Sequence, residues 1–159
     1  RAIPSVMFGE VPVSSTAIRT SLLAGKVDVA SVMLGRSHQY EGIVEHGRKI
    51  GRQIGFPTAN LARSSEGLLP VDGVYAGWLY ADGIRYPAAH SVGTNDSIEE
   101  VPRLLESHVI GRDDLDLYDL VVTAEFIEQV RPWAKFESME VLVKQIAADV
   151  EACREVLGE

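Results

Sequence analysis

The sequence predicts a mainly β protein with flanking helices: a small antiparallel barrel or sandwich capped by a C-terminal helix. Three observations predict it. Several short segments between residues 40 and 130 alternate apolar with polar or small residues, the period of half-buried strands. Asp82-Gly83 separates two of them as a two-residue hairpin turn would. The segment after Ser138 carries an apolar stripe at helical spacing. At 159 residues the chain can hold one domain with a full hydrophobic core, plus a short appendage.

The elements follow in order. Ser14, Ser15 and Thr16 offer N-caps for a helix through Leu23, closed by Gly25. Asp28 is a candidate cap for a second short helix, with Val29, Val32 and Met33 on one side and Gly35 after its end. Two short helices make a poor core of their own, so residues 1–35 read as an appendage or the remnant of a preceding domain. A first strand is expected over 40–45. Val74, Ala76, Trp78 and Tyr80 alternate as the next strand, and 84–92 returns after the hairpin, with Pro87 marking an edge or a bulge. Residues 104–110 make another strand. The longest spans 118–130, with Val121, Thr123, Glu125 and Ile127 facing one way and Val122, Ala124 and Phe126 the other. Ser138 caps the last helix, whose stripe is Met139, Leu142, Val143, Ile146, Val150, Cys153 and Leu157. On that stripe Cys153 reads as a small buried hydrophobe rather than a nucleophile, because nothing nearby would lower its pKa. There are no internal repeats and no low-complexity tract.

Composition narrows the function. A formal net charge of −8 argues against non-specific nucleic-acid binding, which depends on clustered Lys and Arg. Nucleotide binding needs only a local cluster, and Arg48, Lys49 and Arg52 supply one. A single cysteine excludes an intrachain disulfide and a cysteine-based zinc site, and it suits a reducing compartment. No apolar run approaches the roughly 20 residues of a membrane-spanning helix, and no basic-then-apolar leader opens the chain. A cytoplasmic protein with no nucleic-acid and no membrane partner is expected. The chain begins at Arg1 rather than Met, as a fragment or processed product would.

Chemistry concentrates in Gly51-Arg52-Gln53-Ile54-Gly55-Phe56-Pro57-Thr58-Ala59-Asn60. Glycines let backbone approach a bulky anion, since no Cβ stands in the way. Arg52 brings positive charge, and Thr58 and Asn60 offer neutral oxygens of the kind a hard cation accepts. The residue types fit a phosphate-and-magnesium site, and they fit an ordinary surface loop equally well.

With the strands placed, a family resemblance emerges. Gly42-Ile43-Val44 and Gly47, the 51–60 stretch, and Gly73-Val74-Tyr75-Ala76 resemble the riboflavin kinase family. Ser91-Val92-Gly93-Thr94-Asn95, Glu106-Ser107-His108, Asp116-Leu117-Tyr118, Arg131-Pro132 and Lys135-Phe136-Glu137-Ser138 follow in the family's order. The match covers residues 36–159, which the resemblance makes a kinase domain with a Greek-key barrel. Val13-Ser14-Ser15-Thr16-Ala17-Ile18-Arg19 resembles a motif near the end of the adenylyltransferase module of prokaryotic bifunctional FAD synthetases. Residues 1–35 would then be a remnant of that module, with Ser14, Ser15, Thr16 and Arg19 chemically idle.

The resemblance implies phosphoryl transfer from ATP to riboflavin, giving FMN and ADP, with Mg²⁺ as cofactor. It makes Thr58 and Asn60 the metal ligands. It places ATP against Gly47, Lys49, Gly51, Arg52, Gly55, Phe56, Pro57, Thr58 and Asn60. Glu106, by pattern a solvent-facing strand residue, becomes the general base. Asn95, His108 and Arg131 fall near the flavin; His108 projects to the same strand face as Glu106 and is equally a candidate to orient it or a satisfied barrel histidine. The chain departs from the family at Asp96-Ser97-Ile98, where a proline, a threonine and an aromatic residue are usual. His90 stands where an apolar residue is expected, and Trp133 where the family often has Glu. The altered loop leaves a second reading: the same barrel binding flavin or nucleotide without turnover.

Overall fold

A computed structural model describes residues 2–47, 49–62, 65, 67–94 and 103–159. Arg48, Asn95 and the departure at 96–98 lie outside the described residues. The chain opens with a two-stranded ribbon, β1 (Met7–Phe8) and β2 (Val11–Pro12), then helices α1 (Ser15–Leu23) and α2 (Val27–Leu34). Strand β3 (His38–Glu45), the short helix α3 (Ile50–Gln53) and strand β4 (Ala59–Leu61) follow. Then come β5 (Gly73–Ala81), β6 (Ile84–Gly93), β7 (Leu104–Val109), β8 (Val121–Pro132) and helix α4 (Met139–Leu157).

Strands β3 to β8 close into an antiparallel barrel in the order β3-β4-β7-β6-β5-β8. The run β8-β5-β6-β7 is a Greek key, three consecutive strands with the fourth returning beside the first. Alternation sends one side chain in two inward. Val44, Leu61, Tyr75, Leu79, Val92, Leu105, Val122 and Phe126 fill the interior, with Tyr75 edge-on to Phe126 at 5.4 Å. Of the two faces expected for the longest strand, the one bearing Val122, Ala124 and Phe126 is buried. The hairpin turn also forms as expected, with Asp82 and Gly83 both at positive φ (49° and 75°). Pro87 lies just beyond the last β6–β7 pair, Ala88 with Val109, where no ladder donor is needed on that side.

Several expectations need correction. Strand β8 starts at Val121 rather than residue 118, because Asp119 adopts a left-handed conformation (φ 65°) in a turn closed by Leu120 N–H to Leu117 O. Helix α2 is preceded by Lys26, not capped by Asp28, which sits in its first turn. Its buried face carries Val27 and Ala30 rather than Val32, which is 62% exposed. Leu22, Val27 and Ala30 of the two helices share the barrel's main hydrophobic cluster. The ribbon β1–β2, helix α3 and strand β4 were not anticipated, being too short to show a period.

Helix α4 lies across the outside of the barrel. Ser138 Oγ caps it, accepting from Val141 N–H at 3.2 Å. Val150 and Cys153 pack on Ala76, Ala89 and Ile110 of the barrel's outer wall. Cys153 is fully buried and burial pushes its thiol up to about 12, so it is the inert hydrophobe expected.

Candidate active site

Strand register builds the site. Asn60 on β4 is paired with Glu45 on one side and with Glu106 of β7 on the other. Glu106 is paired in turn with Ser91, Ser91 with Val74, and Val74 with Arg131. These six residues form one row across the barrel's outer face, since paired residues point the same way. Directly opposed side chains have Cβ atoms roughly 4.5–5.5 Å apart, so Asn60 and Glu106 are immediate neighbours. A β-bulge completes the row: β8 carries an extra residue, Val130, between the pairs Tyr75–Gln129 and Val74–Arg131. A second extra residue, Ile127, lies between the pairs Gly77–Phe126 and Ala76–Glu128, and the two insertions together leave Arg131 on the outer row.

The loop before β4 is shaped by contacts that exclude side chains. Gly51 accepts a hydrogen bond from Phe56 N–H at 2.7 Å, and a Cβ at Gly51 would collide with the Phe56 carbonyl. A Cβ at Gly47 would occupy the same space as the Asn60 amide. Gly55 turns the chain at φ 88° after α3. His108 fixes the loop from the barrel side: its Nδ1–H donates to the Pro57 carbonyl at 2.8 Å, and its ring meets Phe56 edge-on at 5.5 Å. Burial lowers the His108 pKa, so the neutral ring is favoured. His108 Nδ1 is thus committed to the loop, as in a satisfied histidine of the barrel wall.

Two cavities meet at this loop. A small one of about 60 Å³ is lined by Arg52, Pro57, Arg112, Leu115 and Tyr118 among others. A cleft of about 740 Å³ runs between the outer row and α4, and its lining includes Gly51, Phe56, Glu106, His108 and Arg131. Gly47, Lys49, Thr58 and Asn60 line both. Of the site residues expected from sequence, only Gly55 among those described touches neither cavity, so its part is to turn the loop. Arg131 does line the cleft, but its Nε–H is held by both Asp149 carboxylate oxygens at 2.9 and 3.0 Å. Gln145 donates to the same carboxylate at 2.8 Å.

Some site residues escaped the sequence reading. Tyr118 stacks on His46 with ring centroids 3.9 Å apart, and Lys49 Nζ lies 5.7 Å from the same ring, giving the small cavity an aromatic wall. Asp149 is 6% exposed. The available signal was its place on the α4 stripe, three residues after Ile146 and four before Cys153, where a carboxylate demands a cation.

The donors present fit a hard divalent ion. Asn60 Oδ1 is buried and accepts no hydrogen bond among the described residues, an orphan acceptor of the kind that calls for an ion or a ligand. Thr58, two residues away, supplies a second neutral oxygen at the junction of the two cavities. Among the described residues no group of three or more His, Cys, Asp or Glu side chains could hold a metal unaided. A cation here would take its remaining ligands from an anionic partner.

Fold and site together define a small Greek-key barrel protein with a cleft where a glycine-rich loop, neutral side-chain oxygens and a carboxylate converge. The family described as Flavokinase, riboflavin kinase, matches residues 34–157. The chain is 35% identical over 154 residues to a bifunctional riboflavin kinase/FMN adenylyltransferase of Pseudomonas fluorescens, covering 96% of this chain and 49% of that protein. The Bacillus subtilis protein of the same description is 34% identical over 139 residues, 86% of this chain and 44% of that one. The chain thus spans about half the length of the curated relatives it matches. A crystal structure of riboflavin kinase from Trypanosoma brucei superposes with a TM-score of 0.54 at 27% identity, covering 76% of this chain and 80% of that one. A structure described as a macrolide-efflux protein from Streptococcus pneumoniae gives a TM-score of 0.86 at 34% identity, covering 96% and 50%. Efflux is said of that protein alone. The chain belongs to the riboflavin kinase family.

Proposed function

We propose that this chain transfers the γ-phosphoryl group of ATP to the ribityl 5′-hydroxyl of riboflavin, giving FMN and ADP. The observation that carries the reading is the pairing of Asn60, with its orphaned buried oxygen, directly beside Glu106. Phosphoryl transfer asks for positioning, charge neutralisation and an oriented nucleophile more than for covalent chemistry. Thr58 and Asn60 would hold a bound Mg²⁺, which would supply positive charge to offset that of the phosphates. Glu106 takes the proton of the 5′-hydroxyl as that oxygen attacks, a role typically worth about 10²–10⁴-fold in rate. The loop from Gly47 to Phe56 wraps the phosphates with backbone N–H groups. The junction of the two cavities at Gly47, Lys49, Thr58 and Asn60 receives the nucleotide's phosphates, and the larger cleft receives the flavin, near Arg131.

In this reading residues 36–159 are the kinase domain, and residues 1–35 are the tail of an adenylyltransferase module. No FAD should form from FMN and ATP with this chain. Among the described residues no helix is long and apolar enough to cross a membrane, and we place the reaction in the cytoplasm, where both substrates are at hand. Incubation with riboflavin and MgATP, followed by chromatography, tests the activity. FMN accumulating with ADP supports the kinase; tight binding of both ligands without FMN supports a binding module instead.

A further inference from the structure

The 740 Å³ cleft has two chemically different walls. One is the polar outer row with Asn60 and Glu106. The other comes from the segment after β8 and the start of α4, and is apolar: Trp133, Phe136, Met139 and Leu142. Trp133 is 51% exposed and Met139 54% exposed, so large apolar surfaces stand at the cleft rather than in the core. Such a pairing of an apolar wall with a few convergent polar groups suits a flat ligand that carries a polar chain.

The aromatic rings of the cleft are mostly engaged already. Phe56 and His108 meet each other edge-on, and the Arg131 guanidinium lies over Phe136 at 5.2 Å. Among the described residues Trp133 has neither a ring nor a cation partner. Its backbone is nevertheless fixed. The Trp133 N–H donates to the Asp72 carbonyl at 3.3 Å, and the preceding Arg131 is clamped by Asp149. Its indole lies beside Gly93 at the end of β6, with Cδ1 3.5 Å from where a Cβ would stand. An anchored, half-exposed and unstacked indole is a preformed face for a planar ring.

We propose that Trp133 is the stacking platform for the isoalloxazine ring, and thereby a specificity-determining residue for the flavin substrate. The inference rests on the riboflavin kinase reading. Stacking on Trp133 holds the tricyclic ring against the α4 side of the cleft and leaves the ribityl chain to run along the outer row toward Glu106. The indole contributes to flavin binding and takes no part in the proton or phosphoryl transfer.

The chain has a second tryptophan, Trp78, which is covered by Arg85 at 4.0 Å and stands four residues along β5 from the cleft residue Val74. The test therefore uses a Trp78→Phe background, in which Trp133 is the sole tryptophan to emit. Riboflavin binding is followed by quenching of that emission, beside steady-state FMN formation and MgATP binding. Quenching should be nearly complete at saturation. Trp133→Ala should raise the riboflavin Kd and KM about tenfold, and Trp133→Phe by less than about threefold, the scale of an aromatic stacking contact. The MgATP Kd and kcat should stay within about twofold, the range left by a contact that does not enter the chemistry. Trp133→Ala that forms FMN with an unchanged riboflavin KM overturns the platform and leaves the kinase reading standing. Loss of MgATP binding in the same variant also overturns it, since the indole would then serve the fold. A Trp78→Phe chain that neither binds riboflavin nor forms FMN overturns both.

Discussion

Asn60 shows how much one residue position carries. Its oxygen is buried with no hydrogen-bond partner among the described residues, its neighbour across the strand is Glu106, and the space for its amide exists because residue 47 is glycine. Gly47→Ala should thus act through Asn60, displacing its amide. Outer supports of metal ligands typically cost 10–100-fold in metal affinity, so a rise of about that size in the Mg²⁺ needed for half-maximal FMN formation is expected. Asn60→Ala should do at least as much, and a titration of rate against Mg²⁺ checks both. An unchanged Mg²⁺ requirement in Asn60→Ala would count against its ligand role. At this scale much was legible: Thr58, Asn60 and Glu106 stand out in the sequence by residue type and family pattern. The bond from His108 to the Pro57 carbonyl could not be read, because that carbonyl is 51 residues away in the chain and only the fold joins them.

At the scale of elements, the longer strands and α4 could be read from their period, whereas β4 and α3 could not. Three strand residues and a single helical turn carry no repeat to detect. Yet β4 is the element that sets Asn60 opposite Glu106. The two bulges in β8, at Ile127 and Val130, were equally silent, and together they set Arg131 opposite Val74. Arg131 then ties β8 to α4 through Asp149, with side-chain exposures of only 19% and 7%. Removing one partner of so enclosed a pair leaves the other unpaired, at roughly 2–4 kcal/mol. Asp149→Ala should accordingly lower the thermal midpoint by about 5–10 °C, read by differential scanning calorimetry. The same variant frees the α4 wall of the cleft and should raise the riboflavin KM. An unshifted midpoint would show that the ion pair does not hold the helix.

The whole molecule is a barrel whose closure gathers distant residues onto one outer row, and whose interior holds an unusual group. His90, where an apolar residue was expected, is fully buried. Its Nε2–H donates to the Glu125 carbonyl at 3.1 Å, so the neutral ring's Nδ1 accepts from the Ser107 hydroxyl at 2.8 Å. Gly77 makes the room, since a Cβ there would press on the imidazole. Burial, opposed in part by backbone hydrogen bonds to Glu125 and Trp78, lowers the His90 pKa from 6.5 to about 4. The folded chain therefore refuses a proton that the unfolded chain takes. Stability is full above about pH 6.5 and falls as pH drops toward 4, by roughly 3 kcal/mol in all. Burial lowers the pKa of His38 and His108 as well, adding in the same direction. Urea unfolding at stepped pH should show that decline, and His90→Gln should flatten it.

The central claim is that Asn60 and Glu106, side by side on neighbouring strands, form the two halves of a phosphoryl-transfer site. Single-turnover FMN formation by the Glu106→Gln and unaltered chains, measured beside their MgATP affinities, tests it most directly. The expected result is one FMN per unaltered chain, with a rate about 10²–10⁴-fold lower in Glu106→Gln at unchanged MgATP affinity. An equal rate in the two proteins, or an unaltered chain that binds both substrates and makes no FMN, would contradict it.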